Sequence, residues 1–216
     1  MSATDPTNLT LYAESTWTSP WVFHAMVALE EKQLPYKLEV LPQPLPSSTK
    51  AALLPTAIIV RVPILVHGTT WISESLAISE YLAETFPVPA HPRLFPANLG
   101  DRSRARQVMM FLRTSLSALY EARSTSPVFG RLMGHPMSDQ AKQEAAELER
   151  VALAVIPEGR TTMFDSWCIA DCDLGLALMR LIAHQDPIEH RLVDYAMAQL
   201  DRKSVRRFVA HLPTSH

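Results

Sequence analysis

Cysteine is scarce in this chain, and its two copies are not spaced for chemistry. Among 216 residues only Cys168 and Cys172 carry thiols. Their separation fits neither the CxxC pair of a disulfide reductase nor the ligand spacing of a zinc site. We therefore expect two reduced, structural thiols and no bound metal.

The sequence also lacks the signature motifs of several large enzyme classes. It contains no GxSxG nucleophile elbow, no GxGxxG dinucleotide loop, no GK[ST] phosphate loop and no HExxH motif. Each of these motifs supports a definite mechanism of covalent catalysis, nucleotide binding or zinc chemistry. Their absence argues against all of those mechanisms here.

Long apolar runs and a dominant charge are missing as well. The formal net charge is -2, so no general attraction to nucleic acid or to an anionic membrane is expected. No apolar stretch approaches the roughly 20 residues of a membrane-spanning helix. Residues 1–8 are polar and do not resemble an export signal. We expect a cytoplasmic protein with no nucleic-acid or membrane partner.

The apolar pattern divides the chain into two parts. Residues 1–86 mix the alternation of strands with the periodicity of helices, whereas residues 100–216 are almost entirely helical in pattern. Four prolines mark residues 87–99 as an extended linker, because proline supplies no amide donor and disfavours helix. The sequence thus predicts a small α/β domain, a linker and an all-α domain.

The periodicity also predicts individual elements, in the order βαβαββα for the first domain. Its expected strands cover residues 9–13, 36–41, 63–67 and 70–72, and its expected helices cover residues 20–32, 47–54 and 74–86. In the second domain, helices are expected at about 100–124, 138–156, 171–185, 188–200 and 203–211, with breaks that include Gly134.

Ser19 and Pro20 stand where the first strand leads into the first helix. Serine is a favoured N-cap and proline a favoured first helical residue, so capping alone explains the pair. Capping is also compatible with chemistry, because a hydroxyl that accepts from backbone amides can still donate its own hydrogen to a ligand. Both interpretations of Ser19 stay open.

Val62 and Pro63 stand at the head of an apolar strand. Proline cannot donate to a strand ladder, which suits either a trans strand start or a cis bond at a tight turn. The residues alone favour the trans form. In the cis form, the Val62 amide and carbonyl would point toward Ser19 and could pair with a peptide backbone.

Glu74 and Ser75 follow the hairpin and open the third helix. The start of a helix attracts a carboxylate, and Glu74 beside it could pair with an ammonium group. The alternative is an ordinary helix start in which Ser73 is the cap and Glu74 an acidic first-turn residue.

In this order the motifs resemble those of the glutathione S-transferase family. Thr18-Ser19-Pro20-Trp21 looks like the serine form of its active-site turn, Arg61-Val62-Pro63 like its cis-proline segment, and Glu74-Ser75 like its γ-glutamyl clamp. Ile169-Ala170-Asp171 is similar to its capping motif in the helical domain. The nearest likeness is to the bacterial YfcF-type branch.

The resemblance implies a thioredoxin-like N-terminal domain, an all-α C-terminal domain and a function. Ser19 would stabilise the glutathione thiolate, while Val62, Pro63, Glu74 and Ser75 would bind the tripeptide. Glutathione would be the cosubstrate, a small hydrophobic electrophile the second substrate, and the protein a homodimer. Two alternatives stay open: a non-catalytic binding or scaffold protein of this fold, and a glutathione-dependent isomerase.

One segment departs from the family pattern. Residues 57–60 are Ala-Ile-Ile-Val, where the family usually has a polar stretch with a glycine. Contacts to the glycyl end of glutathione are therefore unassigned. Arg61 or Lys50 could neutralise its carboxylate, but solvated surface charge is the favoured interpretation of either residue. The apolar segment favours the scaffold alternative.

Overall fold

The computed structural model of the chain describes residues 8–129 and 136–212. The polar N-terminus at residues 1–7 and the break expected at Gly134 lie outside these ranges. The described residues form two compact units: one contains residues 8–94 together with residues 207–212, and the other contains the described residues from Phe95 to Arg206.

The first unit is built on a four-stranded sheet of order β2-β1-β3-β4. Strand β2 is parallel to β1, whereas β3 is antiparallel to both β1 and β4. The strands are β1 (Leu9–Glu14), β2 (Lys37–Leu41), β3 (Ile64–His67) and β4 (Thr70–Ser73), and the helices are α1 (Pro20–Glu31), α2 (Ser47–Leu53) and α3 (Ser75–Thr85). The predicted βαβαββα order is confirmed.

Burial follows the apolar periodicity of these elements. Leu9, Leu11 and Ala13 alternate along β1 and are buried, as a strand with one face in the core requires. Helix α1 buries the apolar stripe expected from its sequence, which consists of Val22, Ala25, Met26 and Leu29. Strand β2 lies at the sheet edge, and none of its five residues is buried.

The far ends of α1 and α3 are joined by a buried lysine. Lys32 follows α1, is 1% exposed, and its Nζ donates to the Phe86 carbonyl, which ends α3, at 2.5 Å. Burial, together with the nearby Arg93 cation, lowers the pKa of Lys32. This contact joins the C-terminal ends of α1 and α3. The N-terminal ends of the same two helices carry Ser19-Pro20 and Glu74-Ser75.

The regular structure of the described part of the second unit is helical. It comprises α4 (Leu99–Thr114), α5 (Ser117–Ala122), a 3-10 helix (Ser126–Phe129), α6 (Asp139–Val155), α7 (Ile169–Ala183) and α8 (His190–Leu200), and α9 (Lys203–Val209) leads back into the first unit. No helix in the described ranges combines the length and apolarity that crossing a membrane requires.

The prediction of a single helix over residues 100–124 is wrong, because α4 ends at Thr114 and a separate helix, α5, begins at Ser117. The residue before α5, Leu116, has φ -125° and ψ 34°, outside the helical region. The buried Glu144 of α6 accepts a hydrogen bond from the Leu119 amide at 2.8 Å, which satisfies the first turn of α5. A carboxylate 25 residues away thus supports a separate helix start that the local pattern does not reveal.

Asp171 in the first turn of α7 organises the centre of this unit. It is fully buried, and its carboxylate accepts from the Met163 amide at 2.7 Å, the Cys168 amide at 2.8 Å and the Tyr195 hydroxyl at 2.8 Å. Burial raises the pKa of Asp171, while the donated hydrogen bonds act in the opposite direction. Cys168 and Cys172 beside it are buried free thiols.

Replacing Asp171 with alanine is expected to destabilise the protein. Two amides and a hydroxyl would lose a buried acceptor, and stranding such groups costs about 2 kcal/mol or more in total, equivalent to a Tm decrease of about 4–8 °C. Thermal melting of Asp171→Ala measures the shift. Asp139→Ala is the matched control, since Asp139 also stands in a first turn but its side chain is 94% exposed. Equal melting midpoints for the two variants would contradict the capping role of Asp171.

Candidate active site

The register of the sheet brings the three segments that carry the motifs to one end of its strands. Ile64 pairs with Tyr12 of β1 on one side and with Ser73 of β4 on the other. Neighbouring strands lie about 4.8 Å apart, so the end of β1, the start of β3 and the end of β4 are adjacent. Ser19, the Val62-Pro63 bond and Glu74-Ser75 all stand just beyond these strand ends.

Ser19 is the N-cap of α1. Its backbone is extended, with φ -72° and ψ 120°, and its Oγ accepts from the amides of Trp21 and Val22, each at 3.3 Å. Pro20 follows as the first helical residue, as the capping interpretation predicts. The half-buried hydroxyl keeps its own hydrogen for donation, because both capping bonds use oxygen lone pairs.

A buried carboxylate that the sequence analysis missed lies under this loop. Glu14 ends β1, is 2% exposed, and its Oε1 accepts from the amides of Thr18 and Ser19, both at 2.8 Å. Its Oε2 is buried with no hydrogen-bond partner among the described residues. The available signal was an acid at the end of an apolar strand, next to the loop that carries the candidate serine.

The loop between Glu14 and Ser19 is closed by aromatic packing. Trp17 has a left-handed backbone, with φ 53°, and its side chain is 5% exposed. Its ring stacks on His211 at 4.4 Å between centroids and meets the edge of Phe208 at 5.6 Å. The returning C-terminal segment therefore covers the back of the loop within the first unit.

The Val62-Pro63 peptide bond is cis. This is the isomer that the family resemblance implied, rather than the trans form that the residues alone favoured. Pro63 is buried and β3 begins at the next residue. Within the described residues the Val62 backbone has no hydrogen-bond partner, so its amide and carbonyl are available to an extended ligand.

Glu74 is the N-cap of α3, which corrects the alternative that placed Ser73 there. Ser73 instead belongs to β4, and its Oγ donates to the Ile59 carbonyl at 2.6 Å. Glu74 has φ 71°, unusual for a residue with a side chain, and gives α3 no side-chain cap. Ser75 begins the helix and is buried.

The Glu74 carboxylate is paired with Arg61. The Arg61 Nη2 lies 2.5 Å from Glu74 Oε1, and both side chains are largely exposed. An ion pair in this setting contributes about 0–1 kcal/mol, so a ligand ammonium can replace it at little expense. The Arg61 guanidinium is thus paired with the Glu74 carboxylate. From the sequence alone, Arg61 is instead a candidate partner for the glycyl carboxylate of glutathione.

The apolar segment before the cis bond is only partly buried. Ala57 is buried, whereas Ile58 is 94% and Ile59 40% exposed. Lys50 on α2 is also exposed.

Among the described residues, no group of three or more metal-ligating side chains is present.

Two family models match the chain in sequence. The model described as glutathione S-transferase, N-terminal domain, matches residues 18–85, and the model described as glutathione S-transferase, C-terminal domain, matches residues 98–213. Together the two models cover the three loop segments and all the helices from α4 to α9.

Solved structures and curated proteins agree with these matches. A glutathione transferase homolog from Burkholderia gl BGR1, solved with bound glutathione, is 31% identical, has a TM-score of 0.75, and the alignment covers 94% of this chain and 96% of that one. Maleylacetoacetate isomerase from Anaeromyxobacter dehalogenans, at 21% identity and a TM-score of 0.68, shares the fold.

The curated relatives come from plants and align over part of their length. Glutathione S-transferase U13 of Arabidopsis thaliana is 34% identical over 46% of this chain and 43% of its own, and U10 is 28% identical over 78% of this chain and 66% of its own. The chain thus spans between two fifths and two thirds of these two relatives. Assignment to the YfcF-type branch stays a prediction.

Proposed function

This chain belongs to the glutathione S-transferase family, and we propose that it conjugates or reduces small hydrophobic electrophiles with glutathione. The observation that carries the proposal is the sheet register, which sets side by side the strand ends that Ser19, Val62 and Ser75 adjoin along the chain. The Burkholderia homolog with bound glutathione supports glutathione as the cosubstrate.

In this proposal Ser19 activates the cosubstrate. Its free hydroxyl hydrogen donates to the glutathione sulfur, and a hydrogen bond to the charged form lowers the pKa of the thiol. A free thiol with a pKa of about 8.5 is only a few per cent ionised at pH 7. A decrease of one to two units therefore raises the thiolate fraction roughly tenfold or more.

The neighbouring segments bind the peptide. The backbone of Val62, which has no hydrogen-bond partner in residues 8–129 and 136–212, pairs with the extended backbone of glutathione. The start of α3 at Ser75 attracts the γ-glutamyl carboxylate, and Glu74 takes the ammonium group in place of Arg61. The left-handed backbone of Glu74 supports this role, because strained residues persist mainly at ligand-binding sites.

The remaining features of the proposal come from the family. We expect a cytoplasmic homodimer whose second substrate is a small hydrophobic electrophile. The exposed Leu54 and Ile58 of the first unit give a surface that a second copy would cover, since large apolar side chains in contact with water commonly mark interaction sites.

A binding or scaffold protein of this fold is the second candidate. The exposure of Ile58 favours it, because this side chain stands where the family usually places polar residues before the cis-proline. Capture on immobilised glutathione and elution by the free tripeptide test binding, and turnover of an electrophilic substrate then separates the enzyme from the scaffold.

Ser19→Ala should reduce the rate more than binding. Removing a donor to a charged sulfur is worth about 1.5–3 kcal/mol, so the rate at neutral pH should fall roughly tenfold to a hundredfold. The pKa of the bound thiol should rise in parallel, which the ultraviolet absorbance of the thiolate reports as pH is varied. The KM for glutathione should change little.

Three hydroxyls of the same loop are matched controls for Ser19. Ser15→Ala, Thr16→Ala and Thr18→Ala each remove a hydroxyl that caps no helix. Loss of activity in one of these variants, with Ser19→Ala fully active, would move the catalytic assignment to that residue. If all four variants keep the parental rate, none of these hydroxyls stabilises the thiolate; only a parent protein without turnover would favour the scaffold candidate.

Glu74→Gln should weaken binding without slowing chemistry. The variant keeps the shape of the side chain but removes the charge that attracts the ammonium group, so we expect KM for glutathione to rise about three- to tenfold at unchanged kcat. Steady-state kinetics measure the change. Glu39→Gln is the control, because Glu39 is also a partly exposed acid in an ion pair of the same unit. A fall in kcat for Glu74→Gln would contradict the binding role.

Homodimerisation has a direct test. Static light scattering at micromolar concentration should report twice the 24.1 kDa mass of one chain. A mass equal to one chain over the same concentration range would contradict the dimer while leaving the proposed chemistry untouched.

A further inference from the structure

We propose that Glu14 is the positioning residue for Ser19, holding the active-site turn so that the serine hydroxyl meets the bound sulfur. This inference rests on the proposed function. Glu14 itself does not touch the sulfur in this scheme. Its role is exerted through the two amides that it binds.

The contacts place Glu14 between the sheet and the turn. It is the last residue of β1, where it pairs in register with Leu41 of β2, so its backbone is part of the sheet. Its Oε1 accepts from the Thr18 and Ser19 amides, both at 2.8 Å. Hydrogen bonds to a charged acceptor are roughly twice as strong as neutral ones. The side chain therefore connects the turn to the hydrogen-bonded sheet.

The local sequence explains why the Ser19 amide needs this partner. In a capping box, the amide of the N-cap residue is bound by a Glu or Gln three residues later in the helix. Here that position is Val22, which has no acceptor. Glu14 supplies the missing acceptor from the opposite side, so backbone and side chain of Ser19 are both held: the amide by Glu14, and Oγ by the amides of Trp21 and Val22.

The state of the second carboxylate oxygen points the same way. Burying a carboxylate is costly unless its oxygens are bonded, yet Oε2 of Glu14 has no hydrogen-bond partner among the described residues. Such a half-bonded acid is a poor choice for stability alone. It is a good choice for holding two amides at one point, and an error of about 1 Å at a reacting group can lower a rate a hundredfold.

The test compares Glu14→Gln, Glu14→Asp and Glu14→Ala in the full-length protein. Glutamine retains an oxygen at the same reach, so we expect kcat within about threefold of the parent. Aspartate is one methylene too short and alanine has no acceptor, so both should lower kcat about tenfold and raise the pKa of the bound thiol, with little change in KM for glutathione. Glu14→Asp keeps the test decisive if Glu14→Ala does not fold.

A double variant separates positioning from stability. If Glu14 acts through Ser19, then Glu14→Ala combined with Ser19→Ala should be no slower than Ser19→Ala alone, because effects on one unit are not additive. Glu144→Ala is the matched control: Glu144 is also a buried acid that accepts a backbone amide, in the second unit. It should lower Tm and leave the pKa of the bound thiol unchanged.

Three results would overturn the inference. The first is a Glu14→Ala or Glu14→Asp protein that melts earlier but keeps the parental thiol pKa and kcat. The second is a double variant whose rate loss is the product of the two single losses. In the third, Ser19→Ala has no effect on rate, and then the catalytic role proposed for Ser19 fails together with this inference. A slow Ser19→Ala with a normal Glu14→Ala rejects the inference alone, and a parent protein without turnover rejects the proposed function.

Discussion

The pairing of Ile64 with Tyr12 and Ser73 is the constraint on which the candidate site depends. It sets three strand ends side by side, and each end continues into a segment with polar groups for a ligand. A shift of one residue in this register would turn every side chain of β3 to the opposite face and move the cis-proline segment away from Ser19. The core therefore protects the site, because Ile64 and Leu65 are buried on this strand.

Buried carboxylates that bind backbone amides recur where helices begin. Glu14 holds the amide of Ser19 before α1, Glu144 holds the amide of Leu119 in α5, and Asp171 holds the amide of Cys168 before α7. The first amides of a helix have no partner within the helix, and inside a protein an unpaired amide is costly. In two of the three cases the acid comes from a different element, so the helix start and the tertiary packing stabilise each other.

The motifs differ in how tightly they are held, and the difference matches their proposed roles. Ser19 is fixed on both its amide and its hydroxyl, which suits a group that must meet a reacting atom. Glu74 is held by an exposed ion pair with Arg61 that a ligand can displace, which suits a group that binds and releases. The Val62 backbone, with no partner in the described residues, offers hydrogen bonds that an extended peptide would complete.

By itself, the sequence determined the features that depend on neighbouring residues. The βαβαββα order and the buried stripe of α1 followed from periodicity, and the cap at Ser19 from the serine-proline pair, because local propensity and burial act within a few residues along the chain. Only the tertiary structure decided the cis form of the Val62-Pro63 bond, the end of helix α4 at Thr114 and the hydrogen bond from the Ser19 amide to Glu14. Each of these depends on groups that are distant in sequence or on the path of the backbone at the sheet edge, and no local pattern encodes which distant group will fill an unpaired position.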